Sequence, residues 1–196
     1  MAGQKWDFLL AGVGGQGTIL ASDILVEVGL AAGHDVKKSE VHGMAQRGGS
    51  VESQVRWGEK VYSPTIERGD ADYLIGFEML EAARWVDFLK PGADVFVNRY
   101  QIAPPSVNAG EARYPEETEI NRLLETRAGR VVWVDASAEA SRLGNPALAG
   151  VILLGLLAAD LKMEPQLWLS VIERLVPPRF VQLNLDAFRL GFGMVH

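Results

Sequence analysis

The chain has 196 residues and no cysteine, and its 25 acidic and 19 basic side chains give a formal net charge of −6. The lack of cysteine excludes a disulfide framework, a cysteine nucleophile and a thiolate-held zinc or iron–sulfur site within this chain. The acidic balance argues against a dedicated nucleic-acid-binding protein, and a hydrophobic content of 48% is enough to form a buried core.

The longest uncharged apolar run in the sequence covers residues 147–159. It is well short of the roughly 20 residues that cross a bilayer, so it predicts a buried core helix. Asp7 interrupts the region where a signal peptide would have its apolar core. We therefore expect a cytoplasmic protein with no membrane partner, and the even composition predicts one domain over residues 1–196.

The first third of the chain predicts the start of a β–α–β unit and then an antiparallel excursion. The expected elements are a strand at 6–11, a Gly-rich turn at 12–17, a helix at 18–32, a half-exposed strand at 34–41 and a strand at 51–57. Residues 51–57 alternate between apolar and polar, which predicts one solvent-exposed face. Gly58 and Glu59 then predict a hairpin turn into a strand at 60–62.

Regular alternation of strands and helices resumes after residue 70. The predicted elements are strands at 72–77, 95–98 and 131–135, helices at 78–90 and 118–128, a loop over 101–115, and helices at 137–143, 146–162, 165–176 and 180–190. Pro91 and Gly92 are expected to end the helix at 78–90. The pattern predicts a three-layer, Rossmann-like α/β fold whose sheet is mostly parallel, with an antiparallel hairpin excursion and a helical C-terminal part.

The Gly-rich turn carries the first candidate site. Gly12, Gly14 and Gly17 match the pattern G-x-G-x-x-G, with Gly15 and Gln16 between them. Such a turn lets backbone N–H groups approach a phosphate at a helix N-terminus. Binding of a dinucleotide would require an acidic residue after the second strand, and Glu40 is the nearest candidate. Dinucleotide binding, another phosphate contact, and a tight structural or interface turn all stay open.

The second candidate site is a segment rich in glycine and polar groups, residues 39–50. Its candidate ligand- or interface-binding residues are Glu40, His42, Gly43, Met44, Gln46, Arg47, Gly48 and Gly49. A histidine and an arginine in such a loop suit a carboxylate, a phosphate or a proton transfer. The alternative is a structural histidine and a surface ion pair. The sequence shows no catalytic set, and its three histidines lack the spacing of a metal site.

Together these motifs resemble the gamma-type domain of the 2-oxoacid:ferredoxin oxidoreductases, and in particular the small (beta) subunit of indolepyruvate:ferredoxin oxidoreductase. The matching segments, in order, are 12–17, 39–51, 63–64, 76–82, Asn98, 114–115, 144–146 and 176–180. The resemblance covers about residues 5–191. The sequence departs from the family pattern at Arg99, where relatives often carry threonine, and at Gly150, where they often carry asparagine.

The resemblance implies an accessory subunit of an enzyme that oxidatively decarboxylates arylpyruvates to aryl-acetyl-CoA, with ferredoxin as electron acceptor. It places thiamine diphosphate and the 4Fe–4S clusters on a large (alpha) subunit, with coenzyme A as co-substrate. This chain alone would then bind no cofactor, hold no catalytic residue and be inactive. Isolated copies are open to forming a homodimer.

Two other functions remain open at the level of sequence. One is a free-standing protein that binds a nucleotide or phosphate, and the other is a purely structural interaction module. In an open α/β sheet the functional edge lies beyond the carboxyl ends of the parallel strands. We therefore expect the loops at 12–17 and 39–50 to meet at that edge and to face the partner.

Overall fold

A computed structural model describes residues 5–42 and 49–194 of the chain. Within them six strands form one sheet: β1 (Trp6–Val13), β2 (Asp35–His42), β3 (Ser50–Gly58), β4 (Ala71–Gly76), β5 (Leu89–Asn98) and β6 (Ala128–Val134). The strand order is β2-β3-β1-β4-β5-β6. Strands β1, β4, β5 and β6 are parallel neighbours, whereas β3 is antiparallel to both β1 and β2. The predicted α/β class with a mostly parallel sheet is confirmed.

The helices are α1 (Thr18–Ala31), α2 (Met79–Arg84), α3 (Pro105–Asn108), α4 (Glu117–Leu124), α5 (Ala136–Arg142), α6 (Ala149–Asp160), α7 (Pro165–Leu175) and α8 (Val181–Phe192). Short 3-10 turns precede β5, α6 and α8. Thus the predicted helical C-terminal part is present. No helix in the described part of the chain is long and apolar enough to cross a membrane. The single domain over residues 1–196 stays a prediction.

The antiparallel excursion is present, but its predicted partner is wrong. Strand β3 does not turn at Gly58 into a strand at 60–62. It pairs along its length with β2 on one side, from Asp35 opposite Gly58, and with β1 on the other, from Trp6 opposite Trp57. A strand with two paired neighbours satisfies more backbone groups than a two-stranded hairpin does. Strand β3 therefore separates β2 from β1.

The prediction that the polar face of β3 is solvent-exposed is also wrong. Glu52 and Gln54 are buried, and the Arg56 side chain is only 13% exposed. The segment after β3 folds over this face, because Gln54 Oε1 accepts the Ile66 amide at 2.6 Å and Arg56 donates to the Thr65 carbonyl at 2.7 Å. The alternation in β3 therefore reflects one apolar face and one polar face. Both are buried by other parts of the chain.

The helix predicted at 78–90 is much shorter than expected. Helix α2 ends at Arg84, a 3-10 turn covers Val86–Phe88, and β5 begins at Leu89. Pro91 and Gly92 therefore lie inside the strand, where its pairing with β4 shifts register before Asp94. Pairing with β4 and β6 outweighs the local helical pattern at this position. The loop predicted at 101–115 contains the short helix α3, and His42 still belongs to β2.

Two hydrophobic cores lie on opposite faces of the sheet. The larger packs α1, α5, α6, α7 and α8 against one face, around Trp57, Trp168 and Phe188. The smaller packs α2 and α4 against the other face, around Leu9, Leu74 and Val95. Successive side chains of a strand point to opposite faces, so the neighbours Leu9 and Leu10 in β1 enter different cores.

Candidate functional site

A cleft of about 560 Å³ lies at the carboxyl ends of β1, β4 and β5. One wall is the Gly-rich turn, and the opposite walls are the residues that follow β5, one side of α5, and the 3-10 turn that leads into α6. The lining residues are Gly14, Gly15, Gln16, Phe77, Arg99, Tyr100, Ile102, Ser137, Ala138, Ser141, Pro146, Ala147 and Ala149. Three of the thirteen candidate residues, Gly14, Gly15 and Gln16, therefore line a concave surface at the expected edge.

The shape of the Gly-rich turn depends on its glycines. Gly15 and Gly17 have φ angles of 102° and 82°, which favour glycine. A Cβ atom on Gly12 would lie 2.9 Å from the Cβ of Phe77, so only glycine fits between β1 and the end of β4. The Gly14 amide donates to the Gly49 carbonyl at 2.9 Å. At this point the first and second candidate segments meet, as expected.

Gln16 shapes the cleft through both ends of its carboxamide. Its Oε1 accepts the Val13 amide at 2.7 Å, and its Nε2 donates to the Phe77 carbonyl at 2.9 Å. The side chain thus closes the Gly-rich turn and ties it to the end of β4. This geometry makes Gln16 a positioning residue of the cleft.

Asn98, at the end of β5, has the matching role on the other side of Phe77. Its Nδ2 donates to the Phe77 carbonyl at 3.0 Å and to Ser137 Oγ at 2.8 Å, and its Oδ1 accepts the Ser137 amide at 3.0 Å. The Phe77 carbonyl therefore links the turn after β1 to the ends of β4 and β5, and Asn98 extends this link to α5. Sequence reasoning left Asn98 out of the candidate site, although Asn98 is among the positions that match the family pattern.

Glu78 fixes the outer wall of the cleft. It is 1% exposed; its Oε2 accepts the Glu81 amide at 2.8 Å, and its Oε1 accepts the Ile102 amide at 3.0 Å and the hydroxyl of Tyr114. Burial and this carboxylate raise the pKa of Tyr114 above its ordinary value, so Tyr114 stays a donor. The residues that follow β5 are thereby anchored to the start of α2.

Arg99 brings a guanidinium to the cleft. It lies 3.3 Å from a carboxylate oxygen of Glu117 and 3.5 Å from one of Asp135, and its side chain is 40% exposed. Pairs this long and this exposed hold the guanidinium weakly. Gly150, the other departure from the family pattern, lies behind the cleft wall: a Cβ there would meet the Phe77 ring at 2.7 Å. Both departures therefore map to this cleft or its wall.

Glu40 lies away from the Gly-rich turn. Strand β3 separates β2 from β1, and the Glu40 carboxylate accepts Ser22 Oγ of α1 at 3.2 Å and pairs with Lys38. A ribose-binding acid would have to follow the strand next to the turn. The geometry therefore disfavours the dinucleotide interpretation.

The remaining candidates of the second segment are Gly43, Met44, Gln46, Arg47 and Gly48, and they lie outside the described residues, as does the side chain of His42. Their assignment as ligand- or interface-binding residues stays a prediction.

The donors that the described residues offer do not fit a metal centre, and the sequence lacks the thiolates of an iron–sulfur cluster. The chain has no cysteine, and residues 5–42 and 49–194 hold no group of three His, Asp or Glu side chains that could bind a metal ion. The diphosphate of a thiamine cofactor is usually held through a divalent cation and its carboxylate or carbonyl ligands. The described cleft offers the guanidinium of Arg99 and the hydroxyls of Tyr100, Ser137 and Ser141 instead.

Comparison with known proteins gives a consistent result. Residues 7–194 match the family model described as pyruvate ferredoxin/flavodoxin oxidoreductase. The chain is 38% identical to indolepyruvate oxidoreductase subunit IorB of Pyrococcus horikoshii, over 96% of this chain and 95% of the relative. It is 39% identical to the IorB subunit of Archaeoglobus fulgidus, over 96% of this chain and 94% of the relative.

Solved structures share the fold at lower identity. The gamma subunit of a keto/oxoacid ferredoxin oxidoreductase from Geobacter sulfurreducens aligns with a TM-score of 0.70 and 22% identity over 96% of both chains. The 2-oxoglutarate:ferredoxin oxidoreductase of Magnetococcus marinus aligns with a TM-score of 0.72 and 20% identity, over 97% of this chain but only 31% of that one. A domain like this one is thus part of a longer chain in that enzyme.

Proposed function

The chain belongs to the pyruvate ferredoxin/flavodoxin oxidoreductase family, and we propose that it is the small subunit of an oxidoreductase that acts on arylpyruvates. Membership of a 2-oxoacid:ferredoxin oxidoreductase as an accessory subunit follows from the family and from the full-length relatives. The arylpyruvate substrate is the finer step. It is carried by one observation, identity of 37–39% over 96% of this chain to indolepyruvate oxidoreductase subunits of several archaea.

The proposed reaction converts an arylpyruvate and coenzyme A to an aryl-acetyl-CoA and carbon dioxide, and passes the electrons to ferredoxin. Thiamine diphosphate supplies the decarboxylation chemistry, and 4Fe–4S clusters carry the electrons. We place both on a large (alpha) subunit, because a chain without cysteine provides no thiolate ligand for a cluster. Ferredoxin would then be reached only through the complex.

In this proposal the carboxyl edge of the sheet is the surface that contacts the large subunit. Exposed apolar side chains surround it: Ile19 in the first turn of α1, Val41 near the end of β2, and Tyr100 in the cleft wall. Apolar side chains beside a polar cleft are typical of a protein–protein contact. Gln16 and Asn98 both donate hydrogen bonds to the Phe77 carbonyl and so hold this edge in one conformation. A surface that is already ordered loses less entropy on docking.

Arg99 and the hydroxyls of Ser137 and Ser141 give the cleft a polar side at the proposed contact. A guanidinium with weak partners can exchange them for a carboxylate or phosphate when the complex forms. Arg47 and His42 of the second segment would add donor groups at the same edge, since Gly14 already bonds to Gly49.

The assembled complex tests the activity. The chain is purified alone and together with its large subunit, and arylpyruvate-dependent reduction of a dye is measured. The complex should be active and the isolated chain inactive. Full activity of the isolated chain would overturn the assignment as an accessory subunit, and a preference for pyruvate or 2-oxoglutarate would overturn the substrate.

Two positions on α1 form a matched pair for the docking surface. Ile19 and Leu30 are 45% and 49% exposed, at opposite ends of the same helix. Ile19→Glu should weaken association with the large subunit at least about tenfold, because it places a charge in the apolar contact. Leu30→Glu should leave the affinity unchanged. Equal effects in a binding titration would contradict this orientation.

A further inference from the structure

The sheet has two edge strands, and they are built differently. Edge strand β2 carries Lys37, Lys38 and Glu40 within eight residues, and Lys37 and Lys38 form ion pairs with neighbouring carboxylates. Charged side chains along an edge discourage pairing with another chain. Edge strand β2 is therefore protected in the way natural sheets usually are.

Edge strand β6 carries less charge, because Arg130 is the one charged side chain among its 7 residues. Its second half reads Val131-Val132-Trp133-Val134, and the first three of these side chains are half-buried. Its arginine, Arg130, is held over the sheet, since it bonds to Asp94 at 2.9 Å and to Asp160 and lies over the Phe96 ring. In the described part of the chain β6 is paired on one side only, with β5. An edge of β-branched and aromatic residues with unpaired backbone groups favours strand addition.

A groove runs along this edge between β6 and α4. Its volume is about 420 Å³, and Trp133, Asn121, Arg122 and Glu125 are among its lining residues. The Trp133 ring is fixed there, because Nε1 donates to Asn121 Oδ1 at 2.8 Å. The groove has room for the side chains of an added strand, and it carries charges of both signs.

We propose that β6 pairs antiparallel with β6 of a second copy of this chain, about a two-fold axis at Val132. This register gives two symmetry-related pairs, each with Val131 of one copy opposite Trp133 of the other. Such aromatic–β-branched pairs are among the favourable cross-strand contacts. The same register sets Val132 opposite itself. The two copies of α4 then lie side by side and antiparallel, so that Arg122 of one copy can meet Glu125 of the other. The two six-stranded sheets become one.

The two-fold pairing does not rest on the proposed function, although Arg99 of the cleft lies over the Trp133 ring at this edge. It uses the side edge of the sheet, whereas the proposed contact with the large subunit uses the carboxyl edge. A second copy is favoured over a strand of the large subunit because Arg122 and Glu125 line the same groove, so a two-fold axis sets opposite charges against each other, as an isologous contact allows. If the isolated chain dimerises, β6 binds a second copy; if it stays monomeric, a strand of the large subunit is the other candidate for this edge.

Sedimentation of the full chain over a range of concentrations is the first measurement. A species of twice the 21.4 kDa of one chain supports the proposal, and a monomer at every concentration overturns it. The absence of native cysteine allows a second measurement that reads the register. Val132→Cys should form a disulfide-linked dimer on mild oxidation, because residues directly opposite each other have Cα atoms about 4.5–5.5 Å apart.

Two cysteine variants serve as matched controls. Val131→Cys should not link to itself, since two residues of offset place its Cα atoms about 8 Å apart, beyond disulfide reach. Ser39→Cys, in the middle of the other edge strand, should also stay unlinked. Cross-linking of Ser39→Cys without that of Val132→Cys would overturn the proposal and would locate a contact at β2.

Charge at the axis separates lost pairing from lost folding. Val132→Lys and Val132→Glu each place like charges opposite themselves, so each variant alone should dimerise at least about tenfold more weakly than the unchanged chain. An equimolar mixture should recover the dimer, because lysine then faces glutamate. A dimer that persists in both single variants, or a mixture that stays monomeric, contradicts the register.

Discussion

Two regions on opposite sides of the sheet are stabilised by different forces. On one face α1, α6, α7 and α8 bury a continuous apolar layer, in which Trp168 and Phe188 stack with ring centroids 5.9 Å apart. On the opposite side, beside the smaller hydrophobic core, the region over β3 is a column of polar side chains, with Asp7 and Arg56 at one end and Ser50 and Glu81 at the other. We call the first region the apolar face and this column the polar face.

The apolar face depends on close approach of backbones. A Cβ atom on Gly191 of α8 would lie 1.9 Å from the Ile152 carbonyl oxygen of α6, and one on Gly155 would lie 2.2 Å from that of Phe188. The two helices therefore pack with almost no side chain between them at this crossing. Such packing tolerates apolar exchange elsewhere in the layer, but it does not tolerate added volume at the crossing.

The polar face depends on buried charged groups that are paired with an opposite charge. Arg56 donates to both carboxylate oxygens of Asp7, at 2.7 and 2.9 Å, and Asp7 is fully buried. A buried charge is tolerable only when it is paired, so removal of one partner does more damage than removal of both. The comparison teaches that volume limits one face and charge balance limits the other.

The largest expected effect is on the polar face. Arg56→Met should lower the free energy of unfolding by about 3 kcal/mol or more, because Asp7 is left buried with only the exposed Lys5 as a charged partner. Urea unfolding of the purified chain measures the change. The matched control is Arg189→Met, which removes an exposed pair with Asp186 and should cost less than about 1 kcal/mol.

The double variant Asp7→Asn, Arg56→Met completes this test. It removes both charges, so it should be more stable than Arg56→Met alone. If the double variant is less stable than Arg56→Met, an unpaired Asp7 carboxylate is not the cause of the lost stability.

The next effect is on the apolar face. Gly191→Ala should lower the free energy of unfolding by about 1–3 kcal/mol, because the added methyl group forces α6 and α8 apart. Gly193→Ala, two residues further along, is the matched control: its Cβ would meet its nearest neighbour at 3.5 Å, an ordinary contact. Thermal unfolding should therefore separate the two alanine variants, and equal midpoints would show that the crossing can relax.

The first β–α unit was predictable from sequence because its signals are local. A buried strand, a Gly-rich turn and an apolar helix face follow one another within the first 32 residues, and the structure has β1 and α1 there. The insertion of β3 between β2 and β1 was not predictable, since strand order depends on pairing between distant segments. The same holds for Pro91 and Gly92, whose helix-ending signal is overridden by the pairing of β5.

The candidate site was predictable in part for a related reason. Gly14, Gly15 and Gln16 reach the cleft because a turn after the first strand must lie at the carboxyl edge. Asn98 and Glu78 were missed, because their importance comes from a carbonyl and an amide that only the folded chain brings to them. Sequence alone also assigned Gln16 to a ligand or partner, whereas both ends of its carboxamide are used inside the fold.

The smallest expected effect concerns Glu52 on the polar face, whose carboxylate is only partly hydrogen-bonded. Glu52 is buried; its Oε1 accepts from Gln54 Nε2 at 3.2 Å, and its Oε2 has no hydrogen-bond partner among the described residues. Burial raises the pKa of Glu52 above its usual value of 4.5. The folded chain therefore holds this proton more tightly than the unfolded chain does.

The sign of the pH dependence follows from that difference. Below pH 4.5 the carboxyl is protonated in both states, and the stability it affects is fully present. As pH rises from 4.5 through the raised pKa, stability falls, and above that pKa it stays at the lower level. Glu52→Gln cannot ionise, so at pH 8 it should be more stable than the unchanged chain, by no more than about 1 kcal/mol, and near pH 4 this gain should vanish.

The difference between the two unfolding curves isolates Glu52, because burial also raises the pKa of Glu81 and gives both proteins the same background slope. Glu111→Gln, at an exposed position, should give a flat difference over the same range. If Glu52→Gln is instead less stable at pH 8 than at pH 4 relative to the unchanged chain, the carboxylate has a cationic partner in solution. The polar face would then be balanced at this end too, and the contrast with the apolar face would be sharper.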